Sequence, residues 1–320
     1  MNPLRVAVIG IGQMGKHHAR IYNSMRSVDL VAVCDLNETL GTEIAKDYHC
    51  KYYKDYKEMC KKEKLDAVSV ATPIKFHHDV ANYLIQRRIN ILLEKPITEN
   101  LSQAKKLVNL AQRKKIVFMV GHIERFNPAL QELKIRIGKL GKVHRVEMQR
   151  MTPFPLRIQD VGVGLDLLVH DVDILEFILN SKIKRVYAEV AKRVHSKKED
   201  LISALLALEN GTIANINTDW LTPTKIRGMR ICGDKGMFVV NYATQELFFY
   251  ENPSDETIME GDMTRIKITQ KEPLFSEIEE FLHCVMNKKN PSIGGKEATR
   301  ALFVALKVLE SSKKKKMLKI

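Results

Sequence analysis

The stretch VAVIGIGQMGKHH, residues 6–18, decides the fold. It closes the apolar run Leu4–Ile9, which reads as a short buried strand, and opens a helical pattern that continues through Met25. Between them stand Gly10, Gly12 and Gly15 at G-x-G-x-x-G spacing. Gly10 permits the tight turn off the strand, Gly12 lets bare backbone approach a pyrophosphate, and Gly15 lets the helix pack closely on the strand. Phosphates held there meet the free N–H groups and positive end of the helix. The whole loop, Gly10, Ile11, Gly12, Gln13, Met14 and Gly15, is therefore the expected dinucleotide cradle. Its context, strand before and helix after, is what gives the fingerprint meaning.

The next apolar run, LVAVCD, ends on Asp35, 20 residues beyond Gly15. A carboxylate at that point is placed to accept both hydroxyls of an adenosine ribose. It would repel a 2′-phosphate, and the following Leu36 and Asn37 supply no arginine clamp, so NAD is expected in preference to NADP. Further short apolar runs, Ala67–Val70, Ile89–Leu93 and Ile116–Val120, alternate with amphipathic stretches such as Asn100–Arg113. That alternation predicts βαβ units and a parallel, doubly wound Rossmann sheet covered on both faces. Thr72 and Pro73 follow one of these strands, where such sheets place ligand-contacting loops; a plain proline turn is the competing reading.

After Gly121 the style changes. One strongly apolar helix, about Leu165 to Leu179, precedes strand-like runs at Lys184–Val190, Ile202–Leu208, Ile213–Asp219, Gly228–Cys232, Gly236–Val240 and Glu246–Tyr250. Strands without intervening helices imply a mostly antiparallel sheet, hence an α+β second domain. Two helical segments, Phe275–Met286 and Gly295–Leu309, close the chain. The expected division is 1–122 for the cofactor domain and 123–320 for a substrate and oligomerisation domain.

The 320 residues carry a net charge of +14, which raises the question of nucleic acid. The basic residues are spread along the chain, and no zinc finger, helix-turn-helix or aromatic RNA-binding motif accompanies them, so no nucleic acid partner is expected. The terminal SSKKKKMLKI reads as a solvated tail. No stretch approaches the roughly 20 apolar residues of a membrane span. Five scattered cysteines without a C-x-x-C pair argue for reduced thiols and a cytoplasmic protein.

A second stretch, NILLEKPIT at 90–98, ends a buried strand on a carboxylate and an ammonium and then fixes the exit with Pro96. A strand that surfaces and turns is one reading. The other is a lysine held at a cleft to move a proton. Oxidising a secondary alcohol sends a hydride to nicotinamide and a proton to a base, and a lysine serves where part of it is neutral. The helix in DVGVGLDLLVHDVDILEFIL, residues 160–179, is apolar on nearly every face yet carries Asp166, His170, Asp171 and Asp173. Asp166 and His170 are four apart and share a face. A satisfied structural pair is one reading of them. A metal site is another, set aside because one histidine stands alone, without H-x-x-x-H or cysteine partners. The third makes His170 and Lys95 an acid–base pair, with Asp166 orienting it.

In combination, the glycine fingerprint, ATPIKFHHDVA at 71–81, EKP at 94–96, the D-x-x-x-H-D-x-D helix at 166–173, LENGTIANINTDW at 208–220 and ICGDKGMF at 231–238 resemble one family over essentially the whole chain. It is the glucose–fructose oxidoreductase, inositol dehydrogenase and rhizopine-catabolism oxidoreductases (Gfo/Idh/MocA). The resemblance implies a Rossmann domain followed by a large open sheet that often forms homodimers or homotetramers. It implies Lys95 and His170 as catalytic pair with Asp166 as third member, and it brings His77 and Glu94 to the cofactor side, with a structural role as the alternative for His77. GHIERFNPAL at 121–130, PFPLRIQDVGVGLDLLVHD at 153–171 and DWLTPTKIRGMRICGDKGMFVVNY at 219–242 are most similar to the branch that oxidises the 3-hydroxyl of UDP-N-acetylglucosamine to a 3-keto sugar. By that likeness Arg125, Asn127 and Arg157 join Asp166 and His170 as substrate-side candidates; for Arg125 a structural salt bridge is the alternative. Two rival activities share these motifs: a glycoside hydrolase that oxidises its substrate transiently with bound NAD, and a dehydrogenase of a free polyol such as inositol.

Overall fold

The apolar runs of the first 121 residues become parallel strands in the computed structural model, which describes residues 3–155, 161–194, 197–253 and 260–320. The five runs are β1 (Leu4–Ile9), β2 (Val28–Cys34), β4 (Ala67–Val70), β5 (Asn90–Glu94) and β6 (Phe118–Gly121); β3 (Lys51–Tyr53), a short polar edge strand that the sequence reading missed, joins them in the sheet order β3-β2-β1-β4-β5-β6. The order reverses between β1 and β4. Sheets of this kind bind ligands outside the carboxyl ends of the strands at such a switch point. Every residue of β4 and β6 is buried, and β1, β2 and β5 are buried along most of their length. Continuous burial is what coverage on both faces demands, and it explains why these strands read as unbroken apolar runs rather than alternating ones.

This unit comprises Met1–His122 together with Leu274–Thr299. The first boundary falls where the sequence style changes; the returning segment was expected in the second domain. Packing explains its return. The helix Pro273–Asn287 buries Leu274, Ile278, Phe281 and Leu282. Beyond it, the Ile293 carbonyl accepts the Val120 N–H at 3.3 Å, and Gly294 bridges Met119 in antiparallel fashion. The edge strand β6 thereby gains main-chain partners that it would otherwise lack.

The second unit holds Ile123–Pro273 and Arg300–Ile320. Its strands are β7 (Val143–Met151), β8 (Ile183–Ala191), β9 (Leu201–Leu208), β10 (Ile213–Asp219), β11 (Ile226–Gly233), β12 (Gly236–Asn241), β13 (Glu246–Glu251), β14 (Met263–Ile266) and β15 (Leu318–Lys319). Among the described residues they form one sheet in the order β14-β13-β12-β11-β7-β10-β9-β8-β15, antiparallel throughout except for the parallel β7–β10 pair. Period-two alternation assigns the faces. Val146, Met148, Ala214, Ile216, Ile231 and Phe238 are buried, while Arg145, Gln149, Asn215 and Leu205 are exposed.

Two features depart from expectation. The sheet's centre, β7, has no apolar run because an inward position is occupied by Arg150 and the outward ones by Arg145, Glu147 and Gln149. The terminal segment is ordered rather than a loose tail: the helix Gly295–Lys314 continues into it, and Leu318 pairs with Val186 of β8. The lysine side chains of residues 313–316 are exposed, as expected. Among the described residues no helix is long and apolar enough to cross a membrane.

Candidate functional site

The three glycines of the fingerprint divide their labour visibly. Gly10 has φ +86°, and a Cβ there would lie 2.7 Å from the Ala71 carbonyl carbon. A Cβ on Gly15 would sit 1.8 Å from the Gly10 oxygen. At Gly12 a Cβ would meet nothing within 4 Å, so this glycine serves no packing need and leaves its backbone open to approach. The helix Gln13–Ser24 begins here with no side-chain cap from Gly12. An anion would satisfy such a helix start.

Asp35 ends its strand's turn with both oxygens engaged: Oδ2 accepts Ile11 N–H at 2.6 Å and Oδ1 accepts Asn37 N–H at 2.8 Å. Thr72 follows β4, with its Oγ1 buried and lacking a hydrogen-bond partner among the described residues. His77 Nε2 lies 2.9 Å from the Thr72 carbonyl and Nδ1 2.9 Å from the Pro96 carbonyl. The ring thus staples the loop after β4 to the loop after β5. Open backbone at Gly12, an uncapped helix start, a carboxylate at Asp35 and an orphaned hydroxyl at Thr72 together fit a nicotinamide dinucleotide.

Lys95 directly follows β5 and is half-buried; its peptide bond to Pro96 is cis. Glu94, expected on the cofactor side, turns its carboxylate inward. Oε2 accepts the Lys95 N–H at 3.2 Å, and Oε1 lies 3.1 Å from His18 Nε2. Burial works against this carboxylate, but His18, Lys95 and the Lys95 N–H outweigh it and hold the carboxyl below its usual range. Gly121 makes the room: a Cβ there would lie 3.2 Å from Glu94 Oε2.

In the second unit, Asp166 lies in a π-helical turn, Gly164–Leu168, that continues as the α-helix Val169–Leu179 carrying His170. Such π turns recur at functional sites. His170 is buried and Asp166 half-buried. Asp171 points elsewhere, accepting Arg150 Nε at 2.8 Å, while Glu124 accepts Arg150 Nη1 at 2.8 Å. Burial raises the Asp171 carboxyl even beside Arg150, whereas Arg150 overcomes the same burial at Glu124 and lowers it. Arg227, 3.9 Å from Glu124, also feels Asp166, and burial depresses its guanidinium.

Two substrate-side candidates have structural duties here. Arg125 grips Asp173 with both arms, Nε to Oδ2 at 2.8 Å and Nη2 to Oδ1 at 2.6 Å, and lies over the Phe177 ring. The salt-bridge alternative describes that geometry. Asn127 is buried; Oδ1 accepts Ala129 N–H at 3.1 Å and caps the helix Pro128–Arg136, and Nδ2 donates to the Tyr242 carbonyl at 2.9 Å. Arg157 lies outside the described residues. Sequence reasoning missed Arg150, Arg227, Ser69, Tyr22, Glu277 and His18; of these only His18 carries a signal, three residues after Gly15 and so on the same helix face.

Comparison with known proteins agrees with this geometry. Residues 4–122 match the description "Oxidoreductase family, NAD-binding Rossmann fold", and residues 131–239 match "GFO/IDH/MocA C-terminal domain". UDP-N-acetylglucosamine 3-dehydrogenase of Acidithiobacillus ferrooxidans is 29% identical over 95% of this chain and 96% of its own. Its solved structure superposes with a TM-score of 0.89 at 28% identity, over 98% of this chain and 99% of that one. Myo-inositol 2-dehydrogenase of Thermotoga maritima is 22% identical over 99% of this chain and 98% of its own. Levoglucosan dehydrogenase, solved in complex with NADH, shares the fold with a TM-score of 0.90 at 18% identity, over 100% of this chain and 99% of that one. The chain belongs to the Gfo/Idh/MocA oxidoreductase family and is an NAD-binding dehydrogenase acting on CH–OH groups.

Proposed function

We propose that this protein oxidises the 3-hydroxyl of UDP-N-acetylglucosamine to the 3-keto sugar, with NAD rather than NADP as acceptor and with Lys95 and His170 as its acid–base pair. One observation carries the reading: neighbouring strands β1, β4 and β5 bring the glycine loop, Thr72 and Lys95 to the same carboxyl edge of one sheet. The likeness to a UDP-N-acetylglucosamine 3-dehydrogenase over nearly its full length supports the substrate.

Bound NAD supplies the hydride acceptor. Lys95 takes the proton of the reacting hydroxyl as its carbon gives up hydride and the C=O bond forms. His170 shares or relays that proton, and Asp166, four residues before it, orients the imidazole. Asp35 favours NAD by its charge. Arg125 and Asn127 shape the unit around His170 through Asp173 and the helix cap rather than by holding substrate.

The second reading, oxidation of a free polyol, is favoured by the full-length similarity to myo-inositol 2-dehydrogenase. For the cell, the free state of all five cysteines supports a cytoplasmic protein. For assembly, Tyr187, Leu205, Ile213 and Ile226 are exposed on the uncovered face of the second sheet and support a homodimer or homotetramer. Incubation with NAD and either UDP-N-acetylglucosamine or myo-inositol, followed by mass spectrometry, tests the substrate. A nucleotide sugar lighter by two hydrogens is expected; an oxidised inositol with unchanged nucleotide sugar would select the second reading.

A further inference from the structure

Behind Lys95, within the first unit, lies a cluster of buried polar side chains that ordinary helix-on-sheet packing does not require. Tyr22 Oη is 2.7 Å from Ser69 Oγ, Ser69 Oγ is 3.0 Å from His18 Nδ1, and His18 Nε2 is 3.1 Å from Glu94 Oε1. Tyr22, Ser69 and His18 have no exposed surface and Glu94 has 8%. One assignment satisfies the row. Tyr22 donates to Ser69, Ser69 donates to Nδ1, and Nε2–H donates to the Glu94 carboxylate, whose other oxygen holds the Lys95 N–H.

A further buried acid of the same unit, Glu277, lies on the helix Pro273–Asn287. It is wholly buried, and neither carboxyl oxygen has a hydrogen-bond partner among the described residues. It interacts electrostatically with Glu94, Glu280 and Tyr22. The ionisable groups facing the two acids are thus His18 and Tyr22 from the first helix, Lys95 after β5, and Glu280 from Glu277's own helix. Both potential cations, His18 and Lys95, act on Glu94. An ion at Glu277 would have neither solvent nor a bonded partner, and it would face a second carboxylate. Groups so placed take up a proton instead, and two acids in one pocket then titrate as a pair. Burial, followed by the charges of Glu94 and Glu280, pushes the Glu277 carboxyl well above its ordinary range.

We propose that Glu94, His18, Ser69, Tyr22 and Glu277 form a positioning cluster for Lys95 that carries one negative charge and one spare proton, the charge on Glu94 and the proton on Glu277. The inference rests on Lys95 being the acid–base residue. Neither acid touches the reacting atoms; they act through the lysine. A carboxylate behind a lysine favours its ammonium form, and two would hold the proton still more firmly and oppose base catalysis. Keeping Glu277 neutral limits the cluster to the single charge on Glu94, which also anchors the backbone of residue 95.

Infrared difference spectroscopy reads the proton without any assay. The carbonyl stretch of a protonated carboxyl group is expected in the wild-type protein at pH 8 and is expected to be missing from Glu277→Gln. A wild-type spectrum without such a band, or one unaltered in the variant, overturns the proposal. The kinetic arm uses the pH profile of kcat/KM. Glu94→Gln should lower turnover by about tenfold or more and move the limb that reports the base to lower pH. Glu277→Gln, which exchanges one neutral group for another, should leave that limb where it is. A loss in Glu94→Gln that is uniform across pH, or a moved limb in Glu277→Gln, contradicts the charge assignment. Failure of every sugar and polyol to reduce NAD would defeat the proposed reaction instead, while the infrared band would still decide the cluster.

Discussion

Asp35 Oδ2 accepts the Ile11 N–H at 2.6 Å, so the carboxylate expected to grip the adenosine ribose also pins the glycine loop. Cofactor choice and loop shape are therefore joined in one side chain. Asp35→Asn keeps an acceptor for Ile11 but removes the charge. It should weaken NAD binding by about tenfold, the scale of one charge-assisted hydrogen bond, and narrow the preference over NADP. Calorimetric titration of both dinucleotides checks this; an unchanged preference would remove Asp35 from cofactor selection.

The glycines separate packing from binding. Gly15→Ala drives a Cβ to within 1.8 Å of the Gly10 oxygen and should cost about 2 kcal/mol of stability or more. Gly12→Ala meets nothing within 4 Å, so it should melt like the wild type yet bind NAD more weakly. A melting scan and an NAD titration on each variant test the division. Equal destabilisation of both would refute it.

Glu277 makes a signed prediction about pH. Its carboxyl is raised in the folded state, so folded and unfolded chains both hold the proton at acid pH. As pH climbs past the ordinary carboxyl range, the unfolded chain releases its proton first, and stability falls until the raised folded value is reached. Glu277→Gln is free of that loss. Its stability advantage over the wild type should therefore grow from pH 5 to pH 8, read as urea midpoints at each pH; a constant or shrinking advantage would mean that Glu277 is ionised in the folded protein.

Arg150 is the buried centre of the second unit's ion network, bonded to Asp171 and Glu124 at 2.8 Å each. Removing the guanidinium leaves two buried acids without it. Arg150→Met should cost about 3–5 kcal/mol in chemical denaturation, the range for breaking a buried pair from one side. A cost near that of a surface pair would indicate that the acids find water or other donors.

Much of this architecture was legible in the linear sequence because its signals are local. The G-x-G-x-x-G turn, the Asp35 strand end and the continuous apolar runs each follow from residues close together in the chain. What was hidden depended on long-range partners. β7 was missed because Arg150 occupies a core position, and a buried arginine makes sense only once Asp171 and Glu124 are seen around it. Leu274–Thr299 looks like part of the second domain until its contact with β6 is known. The grip of Arg125 on Asp173, 48 residues away, and the bond from Asn127 to the Tyr242 carbonyl, 115 residues away, are likewise invisible in the linear sequence. Lys95 was readable from its place after a strand, but the cluster behind it joins two helices and two strands that are distant in sequence.

The most direct test follows absorbance of the reduced cofactor when wild-type protein and Lys95→Ala are each mixed with NAD and UDP-N-acetylglucosamine. The wild type should reduce NAD, and Lys95→Ala should turn over about 100-fold more slowly or worse while binding NAD as tightly. A variant that matches the wild-type rate, or one whose only defect is lost NAD affinity, would contradict proton transfer by Lys95.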